Sequence, residues 1–143
     1  DGREWRSDQA LFIGSDSPAE TIFRACHDGK RLYLLAEQLD PASAGGAEIR
    51  LSVGYGGRRV DLTVASDGSV VSPIPGIRGA SRAGLTPAGV PGRATEIAVP
   101  LAALQARPGD TLRFNATVRS GTVEDGFTAA TDDPETWMRI ELK

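Results

Sequence analysis

Three features of the sequence predict an all-β fold: an antiparallel β-sandwich of immunoglobulin-like architecture with one short helical turn. Apolar and polar residues alternate with a period of two in several segments, Gly-, Pro- and Asp-containing turns separate those segments, and only one stretch reads as helical. Such strands have one wet and one dry face, as in an antiparallel sheet half buried in a sandwich.

The elements follow in order. Ala10 to Ile13, Thr21 to Cys26 and Arg31 to Glu37 read as strands, separated by Gly14-Ser15-Asp16-Ser17-Pro18 and His27-Asp28-Gly29-Lys30. The Asp28-Gly29 pair favours a tight hairpin, because glycine accepts positive φ. Leu32-Tyr33-Leu34-Leu35-Ala36 is apolar on both faces, which places it centrally in its sheet. In the run from Glu48 to Val53, Ile49, Leu51 and Val53 share one face; Val60, Leu62 and Val64 do so in the run from Arg59. Gly54-Tyr55-Gly56-Gly57 joins the two as a hairpin. Ser66-Asp67-Gly68-Ser69 turns the chain into Val70-Val71. From Ser72 to Arg93 the sequence is rich in Pro, Gly, Ser and Ala, and is expected to be a long irregular excursion with at most one weak strand. Pro100 to Leu104 is the helical candidate, a single turn opened by proline. Leu112, Phe114, Ala116 and Val118 then alternate with Arg113, Asn115, Thr117 and Arg119.

Composition bounds the function. The 143 residues fit one domain, 1-143, with no repeat and no dividing linker. Hydrophobic residues make up 40% and charged residues 24%, ordinary for a globular chain. The formal net charge is -3 and the basic residues are scattered, which argues against nucleic acid as a partner. No apolar run approaches the roughly 18 residues of a membrane span. The opening Asp1-Gly2-Arg3-Glu4-Trp5 has no signal-peptide pattern and reads as a mature product or a module of something larger. One cysteine, Cys26, excludes an internal disulfide.

The order of the pieces resembles the family 9 carbohydrate-binding modules and the wider DOMON-like sandwiches. The likeness is carried by Asp1-Gly2 before Trp5, by His27 to Tyr33 running on to Asp40, and by the alternating strand from Ala47 to Val53. It continues through Glu96 to Leu104, Phe114-Asn115, and the closing stretch from Pro134 to Leu142. The resemblance spans nearly the whole chain. It departs from the family at Ala47, where the family's strand opens on an aspartate, and at Trp137, which falls where the closing motif has a core aromatic. It implies a non-catalytic, secreted, cell-surface or periplasmic bacterial domain that binds sugar, with calcium as a structural ion. It also implies neighbouring domains in a polysaccharide-active protein.

Several residues are candidates for such a site, each with a plainer reading beside it. Trp5, Tyr55 and Trp137 offer rings on which a pyranose face stacks, or else they fill the core and its rim. Glu37, Arg50, Asp61, Arg113, Asn115 and Arg119 are expected on outward faces of adjacent strands. There they form either a hydrogen-bonding surface for sugar hydroxyls or a solvated, salt-bridged face. Asp132, Asp133 and Glu135, with Asp40 or Asp125, supply oxygen ligands for calcium or simply form an acidic loop.

Catalysis has little to work with. His27 is the one histidine, and Cys26 beside it on a strand points to the opposite face. A zinc site is equally short of ligands. A haem held by His27 and Met138 is a further alternative, suggested by the DOMON-like resemblance. An accessory sandwich that packs on a neighbouring domain and takes no small ligand is the other main reading.

Overall fold

The structure is a computed structural model that describes residues 11–13, 20–39, 47–72, 74–126 and 133–143. Trp5, Asp40 and Asp132 lie outside the described residues.

Alternation places the strands, and their pairing sorts them into two antiparallel sheets. The first sheet has the order β1-β2-β3-β8-β7. Its strands are β1 (Leu11–Ile13), β2 (Thr21–His27), β3 (Arg31–Gln38), β7 (Arg78–Leu85) and β8 (Pro91–Pro100). In the second, β4 (Ala47–Tyr55) lies between β9 (Thr111–Ser120) and β5 (Arg58–Val64), and β6 (Val70–Val71) extends β5. The far edge of β9 is shared. Its N-terminal half pairs with β11 (Met138–Glu141) and its C-terminal half with β10 (Val123–Gly126).

The dry faces of the two sheets meet. Phe23, Leu32, Leu34, Ile97 and Val99 of the first sheet join one buried cluster with Ile49, Leu51, Val60, Leu62, Phe114 and Val118 of the second. The rings of Phe23 and Phe114 touch edge-on across the layers, with centroids 5.5 Å apart. Each such side chain contributes about 1.5–3 kcal/mol on burial, so this apolar layer dominates the cohesion of the sandwich. The helical turn α1 (Leu101–Leu104) follows β8 directly, buries Leu101 and Leu104, and is closed by Gln105 at φ 54. No helix among the described residues is long and apolar enough to cross a membrane.

The expected irregular excursion is in part a hairpin. Strands β7 and β8 pair from Arg78↔Ala98 to Leu85↔Pro91. Strand β7 carries no alternation because it is an edge backed only where Gly79 meets Val70 and Ser81 meets Gly68, a contact too close for large apolar side chains. Strand β3 is central as expected, between β2 and β8.

The turn between β2 and β3 rests on Asp28. Its carboxylate accepts from the Lys30 and Arg31 amides at 2.8 Å and from the Tyr33 hydroxyl at 2.9 Å. The two amide hydrogen bonds, then the tyrosine hydroxyl, lower its pKa from 3.8 to about 2. A carboxylate held below its unfolded value stabilises the fold above pH about 4, and that contribution is lost as pH falls through about 2. An acid titration of melting temperature should therefore show a shallower decline in that window for Asp28→Asn than for wild type. Parallel curves would remove Asp28 from the account.

Candidate functional site

The outer face of the second sheet holds the densest array of polar side chains among the described residues. Period two assigns its members: Glu48, Arg50 and Ser52 from β4, Arg59, Asp61 and Thr63 from β5, and Arg113, Asn115, Thr117 and Arg119 from β9. Register then sets the rows. Arg119 lies beside Glu48, Arg50 sits between Thr117 and Thr63, and Ser52 sits between Asn115 and Asp61. Five of the sequence candidates, Arg50, Asp61, Arg113, Asn115 and Arg119, are thus brought onto one face.

Among the described residues the groups form four separate charge-assisted clusters across the face. Asp61 Oδ1 accepts from the Ser52 hydroxyl at 2.5 Å and from Arg59 Nε at 2.6 Å, and Arg59 also donates to Ser52 Oγ at 3.3 Å. Arg50 Nε donates to Glu48 at 3.0 Å, and Arg119 stands 4.0 Å from Glu124. Arg113 donates to Glu135 at 2.8 Å. Arg50, Ser52, Arg59, Asp61, Thr63 and Val71 line a shallow depression of about 350 Å³. Exposed pairs of this kind are each worth about 0–1 kcal/mol, so they add little to stability.

Trp137 lies on this same side, yet it is buried and stands apart from the core cluster. Its seat is Gly54, flanked in register by Arg113 and Arg59. A methyl group at Gly54 would already touch the indole at 3.6 Å and Pro134 at 3.8 Å, so a longer side chain would displace the ring. The Arg59 guanidinium covers the exposed side, 4.9 Å from the ring centroid. The indole therefore packs under the polar face and offers no open ring for stacking.

Two other candidates fall elsewhere. Tyr55 continues the inward row of β4 and is half-buried against the core. The Asp110 carboxylate near its hydroxyl raises its pKa above the ordinary tyrosine value. Glu37 points outward, as alternation requires, but from β3 in the first sheet, and it is fully buried there. Arg24 Nε donates to it at 2.7 Å, and the Ala88 amide, in the turn between β7 and β8, donates at 2.8 Å. Glu37 is a structural anchor for that turn, away from the polar face of the other sheet.

Arg59 and Ser52 were not among the sequence candidates, although both carry the parity of Asp61 and Arg50. Their signal was present in the alternation, and the missing fact was which strands lie side by side.

Asp133 is exposed and caps the 3-10 turn Pro134–Thr136 by accepting from the Glu135 amide. Among the described residues no three His, Cys, Asp or Glu side chains are grouped to hold a metal. His27 Nε2 contacts the Lys143 carbonyl oxygen at 2.6 Å, beyond the end of β11, whereas Met138 begins that strand. Strand β11 thus sets the two residues of the haem alternative at opposite ends.

No family model, curated protein or solved structure matches this chain.

Proposed function

We propose that this sandwich is a non-catalytic module that binds carbohydrate on the outer face of its second sheet. The observation that supports it is the depression lined by Arg50, Ser52, Arg59, Asp61, Thr63 and Val71, where side-chain donors and acceptors from two neighbouring strands stand beside apolar surface. Adjacent sugar hydroxyls each present a donor and an acceptor, and a charged planar fork beside a carboxylate suits a vicinal pair of them. Recognition is shallow: the polar groups orient the sugar while apolar lining such as Val71 meets its C–H surface, and Trp137 supports Arg59 from below. No covalent step is involved.

A glycan array followed by calorimetry, with and without calcium, tests this. A bound sugar should lose about tenfold or more in affinity with Asp61→Ala, which removes an acceptor shared by Ser52 and Arg59. Failure of every glycan in both conditions would overturn it.

A second reading is an accessory sandwich covered by a neighbouring domain. It draws on the buried Trp137 and the half-buried Tyr55, neither of which offers the open aromatic platform common in sugar sites. Protection of β4, β5 and β9 outer-face residues in a longer parent protein, together with absent sugar binding, would decide for it.

A further inference from the structure

We propose that β7 is a docking edge that takes an extended acidic segment as an added antiparallel strand. Among the described residues it is an unusual edge: eight residues long, with every residue but Ser81 exposed. Long edge strands are normally blunted by proline, charged side chains or a bulge, because their unpaired amides and carbonyls recruit other strands. The segment Arg78 to Ala83 has no proline and pairs with β8 without a bulge, and its charges are two arginines of one sign, which repel a basic strand and admit an acidic one.

The hydrogen-bond phase identifies which groups are free. The Thr86 amide donates to the Val90 carbonyl oxygen at 3.0 Å, which makes that pair a bonded one in the β7–β8 ladder. Bonded pairs recur every second residue, so Arg82↔Ala94, Ala80↔Glu96 and Arg78↔Ala98 face inward to β8. Gly79, Ser81 and Ala83 therefore point their amides and carbonyls away from the sheet. The ladder on the other side of β8 agrees, since the Leu101 amide donates to the Lys30 carbonyl and puts the alternate residues of β8 toward β3.

Charge selects the occupant. Arg78 and Arg82 share the outer face of the strand, about 13 Å apart along it. Among the described residues neither has an ion pair or a side-chain hydrogen bond, and Glu96 lies one strand inward, diagonal to both. An added strand would bond to Gly79, Ser81 and Ala83, so its residues opposite Arg78 and Arg82 would occupy unbonded pairs. Side chains approach most closely in such pairs, and opposite charges there are favourable. The fit is an extended segment with carboxylates four residues apart. A second copy of this chain would instead gather four arginines on one face.

The probe is a capped peptide of alternating threonine and valine with two glutamates four residues apart; the control carries lysine at both places. The acidic peptide should bind measurably by fluorescence anisotropy at low salt, and the lysine peptide should not. Ala83→Pro removes one outward amide while leaving the β8 ladder intact, as proline at an edge permits. It should weaken binding about tenfold. Arg78→Glu with Arg82→Glu is a surface change that keeps the backbone, and it should transfer the preference to the lysine peptide. Absent binding, or equal binding of both peptides to wild type, would overturn the proposal. So would a concentration-dependent dimer abolished by Ala83→Pro, which would assign the edge to a second copy. Sugar binding does not enter any of these readouts.

Discussion

Replacing Phe114 with alanine is expected to lower the unfolding free energy by about 3–5 kcal/mol, measured by chemical denaturation. Phe114 is fully buried at the middle of β9, the strand that holds β4 on one side and both β10 and β11 on the other. Truncation removes its transfer free energy and leaves a void between layers that cannot close without moving a sheet. The ring also meets Phe23 edge-on, a geometry worth about 0.5–1.5 kcal/mol beyond area burial. A double-mutant cycle with Phe23→Ala should therefore show coupling of that size. Independent, additive losses would mean that the two layers do not rely on this contact.

Glu37→Ala should be comparably severe, at about 3–5 kcal/mol, for a different reason. It strips the acceptor from Arg24, whose side chain is only 21% exposed, and from the amide of Ala88. A half-buried cation and a backbone donor are then left without their partner. Replacing both ends of the pair, Arg24→Met with Glu37→Leu, should recover much of the loss, because it removes the uncompensated charge along with the bond. The Ala88 amide should still exchange faster with solvent in the double variant. A double variant no better than Glu37→Ala would show that packing, and not charge, governs the site.

How far the molecule can be read from its residues depends on whether a strand has a dry side. Strands β4, β5 and β9 do, and their alternation assigns both the core and the polar face correctly. Strand β7 backs onto the other sheet only through the small residues Gly79 and Ser81, so Arg78 to Leu85 looks like loop and becomes a strand through its partner β8. The polar site was legible in the same partial way. Parity says that Glu37 and Asp61 both point outward, but it does not say from which sheet. That depends on pairings far apart in sequence, such as β3 with β8 and β4 with β9. Trp137 is a related case. An aromatic in a closing strand reads as core, whereas its actual seat on the outer face depends on Gly54, more than eighty residues earlier.

That seat has a consequence for Arg59. A free arginine on a sheet surface samples many rotamers, and immobilising one costs about 0.5–1.5 kcal/mol when a ligand arrives. Here the guanidinium is already clamped by the indole beneath it and by Asp61 and Ser52 at its edge. The conformational entropy of that side chain was surrendered when the chain folded, so whatever meets this face finds a donor fork that is rigid in advance.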